Sequence, residues 1–249
     1  MEQQYDKYTA EDFEVWRVLF ERQVAQLPGM ATDEYLAGIQ RIGFTADRIP
    51  DFTEVNRVLS GHTGWQLHVV AGLIPNKEFF ELMANRYFPS STWLRRKDQL
   101  DYLEEPDMFH DVFGHVPLLT NQHLCDFLAN LSRIALRHIG NPEAIERIAR
   151  LYWYTVEFGL IREADGLRIY GAGILSSKGE THYSLHDERP KRLPYDVRTI
   201  MNTPYIKEHF QEQYFVIDSY EQLYRSVGQI EEALEAAPSA PEGGTLAYR

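Results

Sequence analysis

Residues 106–117 read Pro106-Asp107-Met108-Phe109-His110-Asp111-Val112-Phe113-Gly114-His115-Val116-Pro117. Two histidines five positions apart sit among acidic and apolar neighbours. A pair of neutral imidazoles suits a borderline metal such as iron. On a regular helix, residues five apart point about 140° away from each other, at ~100° per residue. Both rings can reach one ion only if they flank it or if the backbone bends. Gly114 and Pro117 supply reasons for such irregularity.

A second stretch supplies a carboxylate. Asn141-Pro142-Glu143 is a strong helix start, with an Asn cap, Pro at the first position and an acid in the first turn. The helix is predicted to run to about residue 158 or 159. Its end, Leu151-Tyr152-Trp153-Tyr154-Thr155-Val156-Glu157-Phe158-Gly159-Leu160, is nearly all apolar or aromatic apart from Glu157. A buried carboxylate is costly unless it is protonated, paired or metal-bound. Ala149, Trp153 and Glu157 are four apart and share a face. Residue types and spacing leave two readings of Glu157 level: an ion pair to an arginine such as Arg162, or metal binding. Two His and one carboxylate form the facial triad of non-haem Fe(II) oxygenases. Zinc hydrolases use the same donors, so the ligand set does not choose the metal.

Outward from these stretches the pattern is mainly helical. Thr9 and Asp12 read as a helix start, followed by Phe13, Trp16, Phe20 and Val24 at helical spacing. Further helices are predicted over 32–42, 52–59, 76–86 (capped by Asn76), 121–138 and 219–236. Extended segments are predicted over 65–70, 90–93 and 213–217. A turn at Glu163-Ala164-Asp165-Gly166 joins two β-like runs. The reading is one domain over 1–236 and a disordered tail over 237–249, rich in Pro, Ala and Gly.

Composition narrows the partners. The 249 residues carry a net charge of -12 with only short basic clusters, which disfavours a nucleic-acid partner. A lone cysteine, Cys125, allows no internal disulfide and suits a reducing cytoplasm. No apolar run approaches the ~20 residues of a membrane span. Aromatic residues make up 13% of the chain, enough for core packing and for a pocket that takes a flat ligand.

At this point the motifs resemble a known family. The 106–117 stretch, the run Tyr152-Trp153-x-Thr155-Val156-Glu157-Phe158-Gly159-Leu160 and the run Tyr170-Gly171-Ala172-Gly173-x-Leu175-Ser176-Ser177-x-Gly179-Glu180 occur in the order seen in the pterin-dependent aromatic amino-acid hydroxylases. The match runs from about Thr53 to Leu223. The resemblance implies an α+β, mainly helical catalytic-domain fold with small β elements. It also implies Fe(II), a tetrahydropterin and O2 as co-substrate.

By this resemblance His110, His115 and Glu157 are the iron ligands and catalytic centre. Gly72, Leu73, Ile74, Phe79, Asp111, Ala149 and Tyr152 fall on the pterin side. Arg95 corresponds to the arginine that grips the substrate carboxylate, with Trp153, Phe158, Gly173, Ser176 and Ser177 around the amino acid. Glu180 is expected to orient a ligand histidine. Asp111 stands where many members carry Glu. Near Lys207 the family places an apolar residue, so Ile206 is expected to face the pocket in its stead. Hydroxylation of L-phenylalanine to L-tyrosine is the leading expectation. Alternatives are attack on tryptophan or on the meta position of phenylalanine, a zinc-dependent hydrolase, and a non-catalytic binding protein. The absence of a preceding regulatory domain and of a long C-terminal coiled-coil helix suggests a monomer acting on small molecules.

Overall fold

The computed structural model describes residues 1–101, 103 and 105–236; the expected tail over 237–249 lies outside them. Helix α1 (Ala10–Gln26) begins with a capping box. Thr9 Oγ1 accepts from the Asp12 N–H at 3.3 Å, and the Asp12 carboxylate accepts from the Thr9 N–H at 2.7 Å. Its buried face carries Trp16, Leu19 and Phe20. Trp16 meets Phe109 edge-on at 5.6 Å, and Phe20 meets Phe113 likewise at 5.6 Å, so α1 backs the histidine-bearing stretch. Helix α2 (Asp33–Ile42) supports the same stretch, as the Tyr35 hydroxyl donates to the Phe113 carbonyl at 2.6 Å.

Helix α3 (Phe52–His62) continues through Gly61, three residues past its expected end, and stops before Gly64 in the left-handed region at φ +75°. A parallel pair follows, β1 (Gln66–Val69) and β2 (Tyr87–Ser90), with helix α4 (Asn76–Ala84) as the crossover. Pro75, not Asn76, occupies the cap position of α4. The expected end of that helix at residue 86 is two residues too long. Arg86 turns the chain at φ +64° into β2, and its guanidinium donates to the Thr63 carbonyl at 2.6 Å.

Helices α5 (Gln122–Arg137) and α6 (Pro142–Tyr152) start where predicted. Asn121 Oδ1 accepts from the Leu124 N–H, and Asn141 Oδ1 accepts from the Glu143 and Ala144 N–H groups. Strands β3 (Leu160–Glu163) and β4 (Gly166–Ile169) form the predicted hairpin. Next come α7 (Ala172–Leu175), α8 (Lys178–His186), β5 (Lys191–Pro194), α9 (Val197–Met201) and β6 (Gln213–Ile217). The second sheet has the order β4-β3-β6-β5, with β6 parallel to both neighbours. The expected last helix is two, α10 (Tyr220–Arg225) and α11 (Val227–Glu235), broken at Ser226. Ser226 Oγ bonds the Leu223 carbonyl and the Tyr195 hydroxyl there. The result is a mainly helical α+β fold with two small sheets. One buried cluster, including Trp16, Phe109, Phe113, Phe127, Tyr154 and Phe215, runs through it.

Candidate metal centre and its two clefts

The two histidines meet because the backbone between them is not α-helical. Residues Phe109–His115 form a π-helical turn. Its i→i+5 hydrogen bonding widens each turn, so residues five apart come onto one side. His110 Nε2 and His115 Nε2 lie 3.3 Å apart, with the rings at 89°. A second π-turn, Trp153–Glu157, extends α6 and carries the carboxylate into the same space. Glu157 Oε1 is 3.2 Å from His115 Nε2, and Oε2 is 3.5 Å from His110 Nε2. Arg162 pairs instead with Asp218 at 3.7 Å, which removes the ion-pair reading of Glu157. Close packing holds the carboxylate's backbone: a Cβ at Gly171 would stand 2.4 Å from the Glu157 carbonyl oxygen.

Hydrogen bonding fixes the form of one imidazole. Ser176 Oγ donates its single hydrogen to the Ala172 carbonyl at 2.8 Å. It must therefore accept from His110 Nδ1, 2.9 Å away. The proton sits on Nδ1, and the Nε2 lone pair faces His115 and Glu157. Burial pushes His110 down to about 4, so the ring is neutral at pH 7. Burial works to raise Glu157, but the facing imidazoles and the Gly173 backbone N–H outweigh it and hold the group below its ordinary value. Two imidazole nitrogens and an ionised carboxylate, all within 4.8 Å of one another, fit a divalent first-row ion. Among the described residues no other group of three His, Cys, Asp or Glu has this spacing.

Two clefts flank this centre and share Pro106, His110, Tyr152 and Glu157 as walls. The larger, about 470 Å³, is lined by Arg95, Ala149, Trp153, Phe158, Gly173, Ser176 and Ser177, among others. The smaller, about 160 Å³, is lined by Gly72, Leu73, Ile74, Phe79, Asp111 and His115. Phe79 meets Tyr152 edge-on at 5.6 Å. Asp111 accepts from the Ser91 N–H and hydroxyl at 2.8 and 3.0 Å, while burial raises it to about 7. Ala149, expected on the cofactor side, lines the larger cleft because it lies one turn before Trp153 on the same face of α6. The Glu180 carboxylate touches neither histidine. It accepts from the Tyr214 hydroxyl at 2.7 Å and the Gln211 N–H at 3.1 Å. Lys207 lines the mouth of the larger cleft, where Ile206 was expected, with its ammonium 5.5 Å from the Tyr205 ring centre.

Sequence reasoning gave Asp107 no role. It is fully buried, and its carboxylate takes two hydrogen bonds from the Arg95 guanidinium at 2.9 and 2.8 Å. The same group accepts from the His110 backbone N–H at 3.1 Å, so it ties Arg95 to the metal-facing turn. The local signal was available: an acid three residues before a helical N–H is a cap pattern.

Comparison with known proteins agrees with this geometry. Residues 4–237 match the family described as biopterin-dependent aromatic amino acid hydroxylase. The chain is 52% identical to the phenylalanine-4-hydroxylase of Ralstonia nicotianae over 90% of its own length and 71% of that protein. It is 51% identical to the same enzyme of Chromobacterium violaceum, over 89% and 74% of the two chains. The crystal structure of Chromobacterium violaceum phenylalanine hydroxylase with bound oxidised Fe(III) superposes with a TM-score of 0.90 at 48% identity, covering 96% of this chain and 88% of that one. A cobalt-bound structure of that protein gives 0.91 at 47% identity, covering 96% and 87%. The chain belongs to the biopterin-dependent aromatic amino acid hydroxylase family. It is a non-haem iron, pterin-dependent monooxygenase.

Proposed function

We propose that this chain is a phenylalanine 4-monooxygenase, converting L-phenylalanine to L-tyrosine at an iron held by His110, His115 and Glu157. The observation that carries the reading is the meeting of two clefts at one His-His-Glu centre, each with a wall suited to a different flat molecule. The names of relatives at 43–52% identity support phenylalanine as the substrate.

When bound, iron and the reduced pterin together activate O2, one atom going to each organic product. The protein positions the reactants. Phe79 offers an aromatic face in the smaller cleft, and Gly72, Leu73 and Ile74 line the same cleft. In the larger cleft Arg95, braced by Asp107, presents a cation to the amino-acid carboxylate. Trp153 and Phe158, with ring centres 4.6 Å apart, wall the side chain. The Nδ1–H of His110, locked by Ser176, keeps its Nε2 available to the metal. Holding the ring close to the iron and keeping water out limits oxidation of the pterin without product.

No helix of the described residues is long and apolar enough to cross a membrane. We take the chain to act as a one-domain monomer in the cytoplasm; its single, buried cysteine suits a reducing compartment. Incubation with Fe(II), a tetrahydropterin, O2 and L-phenylalanine tests the assignment. Para-tyrosine that disappears without pterin is expected; a meta product or preferential attack on tryptophan would overturn the specificity.

A further inference from the structure

Trp153 is held by more than its ring contacts. Its indole N–H donates to Gln211 Oε1 at 2.9 Å. An indole nitrogen only donates, so the amide orientation is fixed. The Gln211 NH2 group then donates to the Ile206 carbonyl at 2.9 Å. That second bond folds residues 205–211 back on themselves. It lays Tyr205 on the indole, with ring centres 4.5 Å apart and planes 21° apart. It also brings Tyr205, Lys207 and Glu208 to the rim of the larger cleft. Gln211 is only 4% exposed. Its backbone N–H donates to Glu180, whose carboxylate is in turn bonded by Tyr214 from β6. One side chain thus joins the pocket wall to the rim loop, and a buried carboxylate on α8 anchors it.

We propose that Gln211 is a positioning residue for the amino-acid pocket: its amide clamps the Trp153 indole to the 205–211 loop and so sets which aromatic side chain the larger cleft accepts. The proposal rests on the reading of that cleft as the amino-acid site. A glutamine is the residue that meets both demands, an acceptor for the indole and a donor for the Ile206 carbonyl. Gln211→Met removes both bonds at similar volume. Gln211→Glu keeps an oxygen for the indole but, when ionised, loses the donor for the Ile206 carbonyl.

The experiment measures kcat and KM for L-phenylalanine and L-tryptophan, with tyrosine formed per tetrahydropterin consumed. The proteins are the parent, both variants, Trp153→Phe, and Gln211→Met combined with Trp153→Phe, all iron-loaded. Gln211→Met is expected to lose roughly tenfold in kcat/KM for phenylalanine, the scale of one unsatisfied buried donor. Most of that loss should lie in KM and in coupling, with a changed preference between the two amino acids. Gln211→Glu is expected to fall between the parent and Gln211→Met, because it keeps the indole bond and loses the bond to the Ile206 carbonyl. In the Trp153→Phe background the Gln211→Met effect should shrink to about twofold or less, because the partner N–H is gone. Equal behaviour of parent, Met and Glu variants would overturn the proposal, as would a Met effect undiminished in the Trp153→Phe background. If Gln211→Met does not fold, a Gln211→Glu enzyme with raised KM, poorer coupling and a changed preference supports the clamp, and one indistinguishable from the parent overturns it. A parent that makes no tyrosine would count against the substrate assignment; an active parent with indifferent variants counts against Gln211 alone.

Discussion

Ser176 Oγ stands 2.9 Å from His110 Nδ1 and can only accept there, because its own hydrogen is engaged by the Ala172 carbonyl. This contact fixes which nitrogen of His110 meets the metal. Ser176→Ala removes the acceptor without disturbing α7, whose N–H groups bond to backbone. Partners of metal-bound histidines typically govern affinity or activity by 10–100-fold. A loss of about that size in Fe(II) or Co(II) affinity is expected by titration, with the fold intact by circular dichroism.

Asp107 and Arg95 form a buried, doubly bonded pair. Truncating one partner leaves a buried charge uncompensated, at a cost of about 3–5 kcal/mol. Asp107→Ala is therefore expected to lower the urea midpoint markedly. Arg95→Lys keeps charge but not the planar fork, and its effect should fall mainly on KM for the amino acid.

Gly171 lies so close to Glu157 that an added Cβ would stand 2.4 Å from the latter's carbonyl oxygen. Gly171→Ala should cost about 1–3 kcal/mol through overpacking. It should also weaken iron binding, since relief of the clash displaces the ligand's own backbone. Thermal unfolding and metal titration check the two effects separately.

Burial raises Glu180 to about 7, partly offset by hydrogen bonds from Tyr214 and Gln211. The folded state then holds a proton that the unfolded state, with a carboxylate near ~4.3, releases earlier. Between those values the folded state binds more protons, so stability falls as pH rises from about 4.3 to about 7. Asp111 is also raised to about 7 and contributes with the same sign. Glu180→Gln keeps an acceptor oxygen and should flatten part of this slope. Denaturant unfolding of parent and variant at pH 5 and pH 8 measures it; equal slopes would contradict the shift.

The parts of this fold that a reader of the sequence can find are those fixed locally. Thr9 with Asp12, Asn121, and Asn141 with Pro142 each satisfy helix-end N–H groups within a few residues, and each helix begins where they place it. The parallel pairing of β6 with β3 and β5 depends on partners some twenty or more residues away, which no local pattern encodes. The π-turn at 109–115 was legible only as a need for irregularity, raised by the five-residue spacing of His110 and His115. Its support comes from elsewhere: Gly114 packs against Ala172, where a Cβ would stand 3.0 Å from the carbonyl oxygen. The same limit explains Glu180 and Lys207. Their partners, Tyr214 and Gln211 for one and the Tyr205 ring for the other, are set by where β6 and the 205–211 loop lie, which motif order does not reveal.

The most direct test of the three-ligand iron centre is tyrosine yield from L-phenylalanine as Fe(II) is added to metal-free protein, beside Glu157→Ala. Activity should rise to a break at about one iron per chain, vanish without tetrahydropterin, and be absent from Glu157→Ala at the same iron levels. Tyrosine formed equally well by Glu157→Ala, or by metal-free protein, would contradict the assignment of His110, His115 and Glu157.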